Sequence, residues 1–139
     1  MKTPVAFLSS GKFLSLFVLL FLYCSMHALK AQESLENLVL KGEEIVSIND
    51  LSDYQKNFYQ QLSKRWKTIE YETLEYVKNE AEFLFLVECY EEELSIVAVV
   101  IPTTEYGMLT VIVEWDDTID LVTFYVDFKD WEIEGSDVE

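Results

Sequence analysis

Six carboxylates stand in two short runs of the sequence, Glu91-Glu92-Glu93 and Asp116-Asp117 with Asp120 just beyond. Oxygen-rich clusters of this kind attract hard cations such as calcium and basic protein surfaces. Calcium takes six to eight oxygens, and the spacing here matches no calcium-loop signature. The cluster therefore reads as a docking face for a basic partner, and no metal or cofactor is assigned. Glu88 and Glu114 each interrupt a strongly apolar stretch. A carboxylate carried into a buried face needs a partner or a raised pKa. Two of them beside a pocket are what acid and base work in hydrolysis or isomerisation requires. Tyr106, in the turn from Pro102 to Gly107, and Trp131 are the aromatics expected to be exposed, and exposed aromatics anchor partners.

Other chemistries are missing. The single histidine, His27, falls within residues 1–31, which read as an export signal. Lys2 and Lys12 supply its positive start, Phe13 to Tyr23 its apolar core, and Ala28 to Ala31 the small residues near a cut after Ala31. Cut there, the chain has no histidine for a catalytic base, a serine or cysteine pair, or a zinc ligand. Two rival readings stand beside cleavage. Phe13 to Leu29 carries no formal charge and reaches the lower limit for a membrane span. Cys24 raises lipid attachment, although Phe21-Leu22-Tyr23 is a poor context for it. Beyond the cut Cys89 is the only cysteine, so no internal disulfide forms, and Asn37, Asn49, Asn57 and Asn79 all lack the glycosylation pattern. These features suit a periplasmic or extracellular bacterial protein. Gly42, Gly107 and Gly135 are too scattered to cradle a phosphate.

The acids all lie beyond residue 31, whereas Lys2, Lys12 and Lys30 lie before it, so 7 bases against 26 acids give the trimmed chain a net charge of −19. A field of that sign repels nucleic acid and anionic lipid headgroups and speeds encounters with basic proteins or peptides.

The elements that must position these residues begin with residues 32–50, a short helix and an irregular lead-in. From Leu51 the apolar spacing Tyr54, Phe58, Leu62, Trp66 predicts a helix, opened by Ser52 with Gln55 as a capping box. It is expected to end near Trp66, because Lys64, Arg65 and Lys67 complement a helix C-terminus. Beyond Thr68 the β-branched and aromatic residues predict five strands: Ile69 to Val77, Glu82 to Tyr90, Leu94 to Ile101, Met108 to Trp115, and Leu121 to Ile133. Their connections are too short for crossover helices, so the sheet is expected to be an antiparallel meander. The expected fold class is α+β, a single domain over residues 51–133 with an acidic tail over 134–139.

Phe83 to Val87 and Ile96 to Ile101 are continuously apolar, which predicts central strands covered on both faces. The helix covers one face. The other needs a curled sheet enclosing a pocket, or a second copy of the chain in a homodimer. A helix before a long antiparallel meander resembles the layout of cystatin-like and nuclear-transport-factor-2-like domains. The resemblance is one of element order and carries no functional residue. The residues together point to an exported acidic protein that binds a basic protein or peptide, in an inhibitory, immunity or chaperone-like role. The alternatives are a small-ligand carrier with a pocket on the concave sheet face, and a small carboxylate-dependent hydrolase or isomerase.

Overall fold

The computed structural model describes residues 34–41, 44–115 and 120–139. The expected signal, with His27 and Cys24, lies outside the described residues. The architecture is α+β, with one long helix on a six-stranded mixed sheet. Strands β1 (Val39–Lys41) and β2 (Glu44–Ile45) precede the helix α1 (Asp53–Phe85), and β3 (Leu94–Val100), β4 (Leu109–Trp115), β5 (Val122–Lys129) and β6 (Glu132–Val138) follow it. The strand order is β2-β1-β3-β4-β5-β6. Neighbours are antiparallel except β1 and β3, which pair in parallel through Val39 with Val99 and Leu40 with Val100. Parallel pairing needs a long crossover, and α1 supplies it. Among the described residues no helix is long and apolar enough to cross a membrane.

The helix is twice the expected length. Ser52 and Gln55 form the capping box at its start, and it runs for 33 residues, through the whole of the first expected strand and the first four residues, Glu82 to Phe85, of the second. Its buried positions, Leu62, Trp66, Ile69, Thr73, Val77 and Ala81, keep the three- and four-residue steps of one helical face to the end. No glycine or proline interrupts residues 52–86. Periodicity therefore overrides the strand preference of Ile69, Tyr71, Thr73, Tyr76 and Val77, because burying that face against the sheet outweighs a few tenths of a kcal/mol per residue of propensity. Lys64, Arg65 and Lys67 consequently sit in mid-helix. The last turn holds no basic residue.

The last expected strand is a hairpin. β5 and β6 are joined by Asp130 and Trp131, both at positive φ (51° and 68°), with Lys129 opposite Glu132. Positive φ at both central residues is what the two-residue hairpin turn matched to strand twist demands. The expected acidic tail belongs to β6, and Glu139 continues the ladder by exchanging backbone hydrogen bonds of 3.1 Å with Thr123.

On the helix side, β4 and β5 alternate cleanly. Leu109, Val111, Val113 and Trp115, with Val122, Phe124, Val126 and Phe128, are all buried against α1. The opposite face is where the expectation of complete cover fails. Ile112, Val97, Val100 and Tyr125 are half-buried, and of the strand residues on that side only Ala98, in register with Ile112, is fully buried. Thr110 donates to Asp127 on the same face. Among the described residues no element lies across it.

Candidate functional site

The topology gives the molecule two ends. Leu94 pairs with Trp115, and Trp115 with Val122. The segment carrying Glu91, Glu92 and Glu93 and the β4–β5 connection therefore emerge together. The C-terminus of α1 arrives at the same end, where the Phe85 ring meets Trp115 with centroids 5.6 Å apart. Glu91, Glu92 and Asp120 are exposed there, while Asp116 and Asp117 lie outside the described residues. Glu93 does structural work instead. Its Oε2 accepts from the indole Nε1 of Trp115 at 3.1 Å and from the Tyr90 backbone N–H at 3.3 Å.

This end also displays apolar side chains that sequence reasoning placed in a central strand. Phe83 (75 % exposed), Leu84, Leu86 (88 % exposed) and Tyr90 project from the end of α1 and the segment after it, and Leu121 from the start of β5. These are five of the ten large hydrophobic residues exposed among the described residues. Leu86 caps the helix in the left-handed conformation, φ 54° and ψ 36°, a place usually held by glycine. The end of a helix carries a partial negative charge, and Glu80 and Glu82 in the last turns add to it where cations would be favourable.

The carboxylates singled out for acid and base work are not buried. Glu88 is exposed in the segment that follows α1, because the apolar run before it is helix rather than strand. It hydrogen bonds to the Tyr90 hydroxyl and raises the pKa of that phenol, with Glu93 and Glu82 adding to the shift. Glu114 is half-buried on the open sheet face, between Ser95 and Thr123. Cys89 is buried and free. Burial pushes its thiol up to about 11, Glu93 and Glu82 add to the rise, and Lys78 opposes it. Its backbone N–H donates to Glu82 Oε1 at 3.3 Å. Among the described residues no three histidine, cysteine, aspartate or glutamate side chains are grouped to hold a metal ion.

The opposite end holds a cleft of about 560 Å³, on the helix side of the sheet rather than on the face where a pocket was expected. Tyr106 and Trp131, far apart in sequence, both line it. The first turns of α1 supply its other wall through Tyr54, Asn57, Phe58 and Gln61. Gln55 fixes that wall: its Oε1 accepts from Ser52 N at 3.2 Å and its Nε2 donates to the Ile101 carbonyl at 3.2 Å, tying the helix start to the end of β3. The loop after Ile101 folds back so tightly that a Cβ on Gly107 would stand 2.9 Å from the Pro102 Cβ. Trp131 packs on Phe58, with centroids 5.3 Å apart, and Arg65 lies 5.2 Å from the centre of its indole. The spacing of Tyr54 and Phe58 suggested core, and only the hairpin and loop opposite them turn that part of the stripe into a cleft wall. Comparison of the chain with protein-family models, curated proteins and solved structures returned no match.

Proposed function

We propose that the protein is an exported, non-enzymatic binding protein that engages a basic protein or peptide through the end formed by the α1 C-terminus and the Glu91–Glu93 segment. The observation that carries this reading is the coincidence of exposed Phe83, Leu86, Tyr90 and Leu121 with exposed Glu91, Glu92 and Asp120 at one end of the fold. Apolar anchors ringed by one sign of charge suit an amphipathic partner of the other sign, the charges steering encounter and the anchors supplying residence time. The negative helix end reinforces the same field. An inhibitory, immunity or chaperone-like role uses such a surface equally well.

The test is capture of basic proteins from a matched envelope extract, followed by titration of a labelled lysine- and arginine-rich amphipathic peptide at increasing sodium chloride. Affinity is expected to fall steeply with salt, and Phe83→Ser is expected to weaken it by about tenfold, the effect of losing a central apolar anchor. Salt-insensitive binding, or binding indifferent to Phe83→Ser, counts against the reading. Export is tested separately: N-terminal sequencing of the native product should begin at Gln32.

A further inference from the structure

The cleft at the other end is a second site, separate from the surface just described. We propose that it binds an uncharged carbohydrate, as a short oligosaccharide. The argument starts from the amides. Gln61 Nε2 donates to Asn57 Oδ1 at 3.1 Å, one helical turn away. That bond leaves the Asn57 amide nitrogen as a donor and the Gln61 carbonyl oxygen as an acceptor along one wall. A sugar hydroxyl is at once donor and acceptor, and neighbouring hydroxyls on a ring present both to such a pair. A cation would use acceptors alone, and Lys129 and Arg65 at this end offset the attraction of Glu105 and Asp130. An anion would find the same balance reversed, with Glu105 and Asp130 cancelling Lys129 and Arg65. A lipid chain would leave these polar groups unpaired, at a cost of roughly 1–3 kcal/mol each.

The aromatic walls complete the fit. Tyr54 and Phe58 stand with ring centroids 6.4 Å apart on successive turns of α1, and Trp131 continues the wall from the hairpin. Tyr106, 89 % exposed, faces open water from the loop. Flat amphipathic rings present an apolar surface to the C–H faces of a sugar while leaving its hydroxyls to polar neighbours. The volume of about 560 Å³ lies within the range of small-molecule sites. Trp131 is held at φ 68° by the two-residue hairpin turn, in a backbone region that a bulky residue rarely adopts, and its ring packs on Phe58 and Arg65. The wall is therefore set before a ligand arrives, which reduces the ordering cost of binding.

The experiment screens the purified protein on an array of neutral and charged oligosaccharides and measures the strongest neutral binder by titration calorimetry. Saturable binding of at least one neutral oligosaccharide is expected, weakened about tenfold or more by Tyr106→Ala and by Gln61→Ala and unchanged by Phe83→Ser. Tyr106 and Gln61 are both exposed, so neither substitution disturbs the core, and an unaltered melting curve checks this. Binding of no neutral glycan overturns the proposal, as does preference for charged glycans or binding that survives both cleft substitutions. None of these results bears on capture of a basic peptide at the other end, which Phe83→Ser reports.

Discussion

Two residues are held in states their chemistry resists, and each gives a test. Trp131 sits at positive φ in the hairpin turn, where L residues lose about 1 kcal/mol or more relative to glycine. Its ring contacts with Phe58 and Arg65 offset that cost. Removing the ring while keeping a Cβ leaves the strain without the compensation. Trp131→Ala should therefore lose more stability than Trp131→Gly, by roughly 1 kcal/mol in urea unfolding. Equal losses would mean that the turn relaxes and the strain is not stored. Cys89 is the other case: its buried thiol is pushed from 9.0 to about 11. The folded state thus favours the protonated thiol, and the unfolded chain ionises first as pH rises. The contribution of Cys89 is complete below pH 9 and is lost as pH climbs through about 11. The raised tyrosines Tyr59, Tyr90 and Tyr125 act with the same sign, so the comparison is with Cys89→Ala, whose unfolding midpoint should fall less between pH 9 and 11. Iodoacetamide should modify the native thiol only slowly at pH 8. Rapid modification at that pH would contradict the burial.

At the level of elements, α1 both organises the fold and explains what could be read from the chain. Its start was legible, because Ser52 and Gln55 name a cap and Tyr54, Phe58, Leu62 and Trp66 a face. Its end was not, because the residues after Thr68 carry strand propensity and a cluster of positive charge mimics a helix terminus. The decisive signal was present in the spacing of Trp66, Ile69, Thr73, Val77 and Ala81, which continues without a break. β3 and β4 were legible from their composition. β6 was hidden, since Glu132 to Val138 is acidic and contains Gly135, and only pairing with β5 makes it a strand. β1, three residues long, is a strand because it lies between β2 and β3. Of the site, Tyr106 is exposed as its turn position predicts, whereas Trp131 is half-buried because it packs on Phe58, and that the two share a cleft depends on topology. The helix terminus makes a further prediction. Leu86 occupies a left-handed cap with its side chain almost wholly in water. Leu86→Gly should raise stability by about 1 kcal/mol, since glycine adopts that conformation freely. The same substitution should weaken capture of a basic peptide. A rise in stability with capture intact would remove Leu86 from the binding surface.

Across the whole molecule, charge and exposed apolar surface are distributed unevenly along α1. At 33 residues the helix is about 50 Å long, against about 25 Å for strands of seven or eight residues, so the sheet cannot cover both of its ends. Lys56, Lys64, Arg65 and Lys67 lie in its first half with Asp53, whereas Glu70, Glu72, Glu75, Glu80 and Glu82 lie in the second with Lys78. The negative half runs toward the end that already holds Glu88, Glu91, Glu92 and Glu93. Selection for stability alone would reverse this order, because the helix dipole favours acids at the start and bases at the end. The excess of acids, −16 over the full chain, has a second cost in self-repulsion of the folded state. One field therefore has two readouts of opposite sign. Raising sodium chloride from about 0.01 to 0.2 M shortens the screening length from roughly 30 Å to less than 10 Å, which should raise the melting temperature while weakening capture of a basic peptide. Replacing Glu91 and Glu92 by glutamine should reduce both salt responses, because it removes charge from the end where the field is densest. If the melting temperature ignored salt while capture still depended on it, the acids would act on the partner without straining the fold. The inverted helix charge would then carry no cost in stability, and binding and self-repulsion would not share one field.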